Sequence, residues 1–284
     1  MRRNGSLRII PYEDKRAIEL LNKGNLSKSL RNDLCILGKY YKVEISKDKE
    51  EIKKFLRGFC EWRIDDYNEI LYFDIIKSAV NYSSKNDLFI ARPVEVTKDE
   101  LQKINKIKNK NKELQEQMKK CLFTLLVLSK LYNQKIEIQI QNKKTTKKKK
   151  EKLEKTRYYF KESLREICKV ANIKILIKNQ EDLIIQLYKD GLLDISNNSA
   201  YKPLIINENY QETDIVLRIN NFQDLGLQYL LCNGDENIIQ CENCGKYIIK
   251  KNGKIKYCRQ CAKEIHKKTD REYQKNKYNK KILD

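Results

Sequence analysis

The sequence predicts a mainly α fold with small β parts (α+β), and three observations carry that expectation. Apolar residues recur at three- and four-residue spacing along most of the chain, and strict two-residue alternation is confined to short runs. Two Cys-x-x-Cys pairs near the end mark a small separate module. Together these divide the 284 residues into a helical domain over 1–96, a second domain over 97–232, and a cysteine module with a basic helical tail over 233–284.

In the first domain a helix over Asp14 to Asn22 is ended by Gly24-Asn25, and Leu30, Leu34, Leu37 and Tyr41 mark a second. Ile52, Phe55, Leu56, Phe59 and Cys60 form one apolar stripe on a third, capped by Ser46 with Asp48, Glu50 and Glu51 in its first turn. Ile70, Phe73, Ile76, Ala79 and Val80 mark a fourth. Trp62, Tyr40, Tyr41, Tyr67, Tyr72 and Tyr82 fit core and rim positions better than base stacking. The block resembles the helical modules appended to phage and plasmid primases and replication proteins, and no catalytic residue follows from that likeness.

Pro93 and the extended LFIARPVEV run end this domain. Thr97-Lys98-Asp99-Glu100 is a capping box that starts a long helix, polar and lysine-rich to about Lys120 and apolar nearly all round from Cys121 to Tyr132. In KIEIQIQ, Lys135 to Gln141, Ile136, Ile138 and Ile140 alternate with polar residues as in a half-buried strand. A lysine-rich insertion over 143–155 follows as an exposed connection, helical toward its end. Next come a helix through Leu164, Ile167 and Val170 and another over Leu183, Ile184, Leu187 and Tyr188 that stops at Gly191. Lys202 to Asn207 and Asp214 to Asn220 read as a hairpin. Helix, strand, helix, helix, hairpin is the order of a winged helix, so 97–232 is expected to be winged-helix-like.

The last module is CENCGKYIIKKNGKIKYCRQC. Cys241 with Cys244 and Cys258 with Cys261 stand thirteen residues apart, a spacing that suits one structural zinc ion (Zn2+) per chain held by four thiolates. Gly245 supplies the positive φ that a knuckle turn favours. Lys246 to Ile249 and Ile255 to Tyr257 are expected to pair across Asn252-Gly253, and the second cysteine pair to open a helix. The segment resembles zinc-ribbon and treble-clef modules. Redox-active or paired cysteines are the competing reading of the four. His266, the sole histidine, is an alternative ligand but fits better as an exposed residue of the following helix. Four thiolates close the coordination sphere, which disfavours a catalytic metal.

The other cysteines, Cys35, Cys60, Cys121, Cys168 and Cys232, are scattered and read as reduced and mostly core. No segment is long and apolar enough to span a membrane and the N-terminus lacks a signal-peptide core, so a cytoplasmic location is expected. The formal charge is +21, and residues 103–120, 143–155 and 241–284 contribute +20 of it. Charge concentrated in this way is what a polyanion-binding surface requires. Candidate nucleic-acid contacts are Lys147, Lys148, Lys149 and Lys150 in the insertion, and Lys263, Lys267, Lys268, Arg271, Lys275, Lys277, Lys280 and Lys281 in the tail.

The series LFTLLVLSKLYN, REICKVANI, QLYKDGLLDIS and VLRINNFQDLGLQYL, closed by CENCGKYIIK and KYCRQCAKEI, is similar to a family of uncharacterised proteins in phages and mobile elements of low-GC Gram-positive bacteria. These join a winged-helix-like domain to a C-terminal zinc module, and the likeness implies DNA transactions. The segment Gln180 to Asp190, in the place of a recognition helix, carries Glu181, Asp182 and Asp190 against Lys189 alone, which phosphates would repel. That domain is therefore expected to dimerise or bind a protein. No nucleophile–base pair, carboxylate–histidine set or phosphate-cradling glycine loop stands out. The leading expectation is a non-enzymatic DNA-binding protein acting in transcription regulation or replication. The alternatives are an interaction factor acting on a host or phage machine, and an RNA-binding protein.

Overall fold

The computed structural model describes residues 10–27, 29–142, 145–250 and 255–283, with residues 177–178 and 274–283 described by their backbone. In chain order the helices α1 (Glu13–Lys23), α2 (Leu30–Glu44), α3 (Lys49–Arg63) and α4 (Glu69–Lys85) precede strand β1 (Val94–Thr97). There follow α5 (Lys98–Asn105), α6 (Lys112–Gln141), α7 (Lys147–Glu154), α8 (Leu164–Val170) and α9 (Ile177–Lys189). Then come β2 (Leu193–Ile195), β3 (Tyr201–Pro203), β4 (Ile215–Ile219), α10 (Leu225–Cys232), β5 (Ile238–Gln240), β6 (Tyr247–Ile249) and α11 (Arg259–Leu283). Helix makes up 58% of the residues and strand 9%, so the chain is mainly α with small antiparallel β parts, as expected. Among the described residues no helix is long and apolar enough to cross a membrane.

The chain packs as two compact units that do not follow its linear order. The first comprises Met1–Pro93 and Lys130–Arg157, the second Val94–Ser129 and Tyr158–Asp284. The boundary falls inside α6, whose residues to Ser129 belong to the second unit and whose residues from Lys130 belong to the first.

In the first unit the stripes read from the sequence meet as one core. Leu20, Leu34, Leu37, Ile52, Leu56, Cys60 and Ala79 are completely buried. Each large aliphatic side chain so placed is worth about 1.5–3 kcal/mol over leaving it in water. The cap of α3 is Asp48, not Ser46: its carboxylate accepts from the backbone N–H groups of Glu50 and Glu51, while Ser46 Oγ accepts from Asp48 N–H. Of the aromatic residues, Tyr41 stacks on Phe55 and Tyr67 on Tyr72, whereas Trp62 is 60% exposed with the Arg63 guanidinium over its ring. The unit also buries a charged pair: Glu13 pairs with Lys39, accepts from Phe89 N–H at 2.7 Å, and has Lys135 Nζ at 3.6 Å. Burial outweighs the attraction of Glu13 and pulls the Lys39 ammonium below the usual lysine range.

Residues 135–141 are helical, not a strand. They continue α6, and adding residues to a helix already nucleated costs far less than starting a new element. Polar side chains hold this turn in place: Gln134, just before it, exchanges hydrogen bonds with the Arg92 backbone, and Glu137 accepts from Arg157 and Arg92 as well as from Asn133 one turn earlier. Ile136 is buried and Ile138 is left 42% exposed.

In the second unit the Thr97–Glu100 capping box forms as read, but the long helix is interrupted after Asn105. Asn111 restarts it, its side chain accepting from Glu113 and Leu114 N–H. From Cys121 to Leu128 every apolar side chain of α6 is fully buried, the central helix that its composition implied. The expected 202–220 hairpin is replaced by two other pairings. β3 pairs with β2, and β4 pairs with β1, more than a hundred residues earlier, where Tyr210 and Arg218 hold Glu95. A hairpin does follow α9, formed by β2 and β3 with Phe160 bridging to Tyr201, but it lies earlier than the stretch expected, and residues 135–141 supply no strand. The backbone of α10 lies close against Ala171, and only glycine fits at Gly226: a Cβ there would stand 1.8 Å from the Ala171 carbonyl oxygen.

Candidate metal centre and the basic helix

The first cysteine pair sits in the turn of a hairpin. β5 pairs with β6 in antiparallel register, Gln240 opposite Tyr247, and Cys241 to Lys246 connect them. This corrects the expected partner of β6, since residues 255–257 form no strand and Asn252-Gly253 lies outside the described residues. The turn is tight because Gly245 takes φ +67°, which lets its N–H reach Cys241 O at 2.8 Å while Cys241 N–H reaches Lys246 O at 2.8 Å. The second pair opens a helix as read: Cys258 O accepts from Ala262 N–H at 2.9 Å, and Cys261 stands in the first turn of α11.

These two turns bring four sulfurs together. The Sγ atoms of Cys241, Cys244, Cys258 and Cys261 all lie within 4.8 Å of one another. Cys244 and Cys258 Sγ are 3.8 Å apart. That rules out a disulfide, which needs about 2.05 Å. It matches the edge of a tetrahedron around an ion with metal–sulfur distances of about 2.3 Å, which is about 3.8 Å. Cys258 N–H donates to Cys241 Sγ at 3.2 Å and Cys261 N–H to Cys258 Sγ at 3.4 Å, contacts that favour thiolates. Burial raises the Cys241 thiol, but the N–H groups of Cys258, Cys244 and Asn243 outweigh it and bring it down to about 6. Cys241 and Cys261 are buried and Cys244 is exposed, so the centre is closed on one side and reachable on the other. His266 is exposed on α11 and is not part of the cluster. The donor set and the spacing fit a metal ion. Of the remaining cysteines, Cys35, Cys60, Cys121 and Cys168 are buried, and Cys232 is exposed.

The basic candidates fall in two places. Lys263, Lys267, Lys268 and Arg271 are exposed on α11, and the helical backbone continues through Lys275, Lys277, Lys280 and Lys281. Lys263, Lys267, Arg271 and Lys275 recur every fourth residue, which sets them along one slowly winding face. Lys147, Lys148 and Lys149 are exposed on α7 and Lys150 is half-buried; this helix belongs to the first unit, α11 to the second. Three cations escaped notice in the sequence: Arg31, Lys77 and Lys85 share a groove with Lys149. The signal was present on α4, where Lys77, Asn81 and Lys85 repeat every fourth residue beside the apolar stripe. No protein-family model, curated protein or solved structure matches this chain.

Proposed function

We propose that this chain is a non-enzymatic DNA-binding protein, acting in transcription or replication, in which a structural zinc ion anchors a basic helix that grips duplex phosphates. The observation that carries the reading is the juxtaposition in α11. Its start supplies two sulfurs to the four-cysteine cluster, Cys258 from the residue just before the helix and Cys261 from its first turn, and the next turns present Lys263, Lys267, Lys268 and Arg271 to solvent. A closed four-thiolate sphere leaves zinc no open position for substrate, so its work is to fix the base of the helix. Phosphate contacts by lysine and arginine then gain affinity through counterion release and carry no base specificity of their own.

The test is duplex binding measured by fluorescence anisotropy over a range of salt. The Lys263→Gln/Lys267→Gln/Lys268→Gln/Arg271→Gln protein should show a slope of log affinity against log salt smaller by roughly 0.9 for each phosphate it no longer neutralises. An undiminished slope would remove α11 as the interface. Tight binding to RNA but not to duplex DNA would turn the reading to RNA.

A second reading, a protein-interaction factor, draws on one observation in the first unit. Ile70, Leu71 and Trp62 are 85%, 73% and 60% exposed. Large apolar side chains in solvent at the start of α4 and the end of α3 are typical of a contact surface.

A further inference from the structure

The groove of the first unit gathers cations that are far apart in sequence. Arg31 of α2, Lys77 and Lys85 of α4 and Lys149 of α7 line an open cleft of about 990 Å3, with Asp74 the one carboxylate among its described lining residues. All four cations are exposed. Arg31 donates to Ser78 Oγ at 3.0 Å and lies over the Tyr82 ring, and Lys77 lies over Phe73. Among the described residues none of the four has a carboxylate within ion-pair distance. Between the charges the surface is amide and aromatic, from Asn81, Asn86, Gln139 and Tyr82.

Like charges converging on a concave, polar surface raise a positive potential that the fold does not neutralise. The shape then decides which polyanion fits. The volume is near the upper end of the roughly 300–1,000 Å3 typical of ligand sites, room for a few nucleotides with their bases turned inward but not for a duplex. Amides and a tyrosine suit exposed base edges and faces, which only an unpaired strand offers.

We propose that this groove binds single-stranded nucleic acid, with Arg31, Lys77, Lys85 and Lys149 on the phosphates and Asn81, Asn86, Gln139 and Tyr82 on the bases. The proposal rests on the nucleic-acid reading for its class of partner and differs from it in surface and in strand state. The chain would then hold duplex through α11 and a strand through the first unit, a pairing suited to work at an opened site.

Anisotropy with the full-length chain separates the two surfaces, using fluorescent oligo-dT, oligo-U and a duplex as probes and polyglutamate as competitor. The Arg31→Gln/Lys77→Gln/Lys85→Gln/Lys149→Gln protein should lose roughly tenfold or more in strand affinity, and about 3 from the salt slope at ~0.7 per phosphate, while its duplex affinity stays within about twofold. The four-residue α11 variant should do the reverse. Comparing oligo-dT with oligo-U assigns DNA or RNA. Should circular dichroism show that the groove variant has unfolded, Lys85→Gln/Lys149→Gln makes the same comparison. Unchanged strand affinity in the folded groove variant, no strand binding by the parent chain, or equal displacement by polyglutamate at matched charge overturns the groove proposal. A duplex slope indifferent to α11 overturns the other reading and leaves this one standing.

Discussion

Cys241, Cys244, Cys258 and Cys261 act as one group, because sulfurs within 4.8 Å of one another cannot all ionise without a cation among them. Binding free energies of about 10–16 kcal/mol at such sites exceed anything that three-residue strands bury on their own. Elemental analysis should therefore find one zinc per chain in the parent protein and a large loss in Cys244→Ser; equal metal in both would remove the assignment. The buried Glu13–Lys39 pair follows another rule. Removing one partner strands a charge in the core, so Lys39→Met should cost about 3 kcal/mol in urea unfolding. Adding Glu13→Gln, which keeps an acceptor for Phe89 N–H, should return most of it. A double variant no better than the single would show that the pair is not the source of the loss. Because burial holds Lys39 below its ordinary value, the unfolded chain binds the extra proton, and this group's contribution rises with pH through that window.

Helices whose stripes and caps lie within a dozen residues were legible: α1 to α4, the Thr97 capping box, α8, α9 and the opening of α11. What could not be read locally was decided by distant partners. KIEIQIQ alternates like a strand but inherits its helix from α6 and its anchors from Arg92 and Arg157. β4 finds β1 across the whole second unit, and nothing near Asp214 announces it. Gly226 is such a case at the scale of one packing contact. Gly226→Ala should destabilise by about 2 kcal/mol or more through the clash with Ala171, whereas Gly58→Ala, in open space on α3, should stabilise by roughly 0.5–1 kcal/mol. Similar unfolding midpoints for the two would contradict the close approach. α7 has eight residues and none buried, too short to be stable by itself. Trypsin should cut there first, and a bound strand should protect it; cleavage unaffected by any nucleic acid would leave α7 a solvated helix.

Across the whole molecule the charge is the most legible property and the least specific. The sequence localises +20 of the +21 to three stretches, yet it cannot show that Lys149 lines a groove with Arg31, Lys77 and Lys85, residues outside those stretches. The four-cysteine cluster was legible because Cys-x-x-Cys spacing encodes local turns, while the pairing of its hairpin was not, since β5 lies before the motif. The proposed zinc-held cluster and DNA-gripping helix meet in α11, and a single titration tests the link. Zinc is added stepwise to the metal-stripped full-length chain while duplex affinity is followed by anisotropy. Affinity should rise with the first equivalent and level off at one zinc per chain; duplex affinity that ignores zinc throughout, or no duplex binding in the loaded protein, would contradict it.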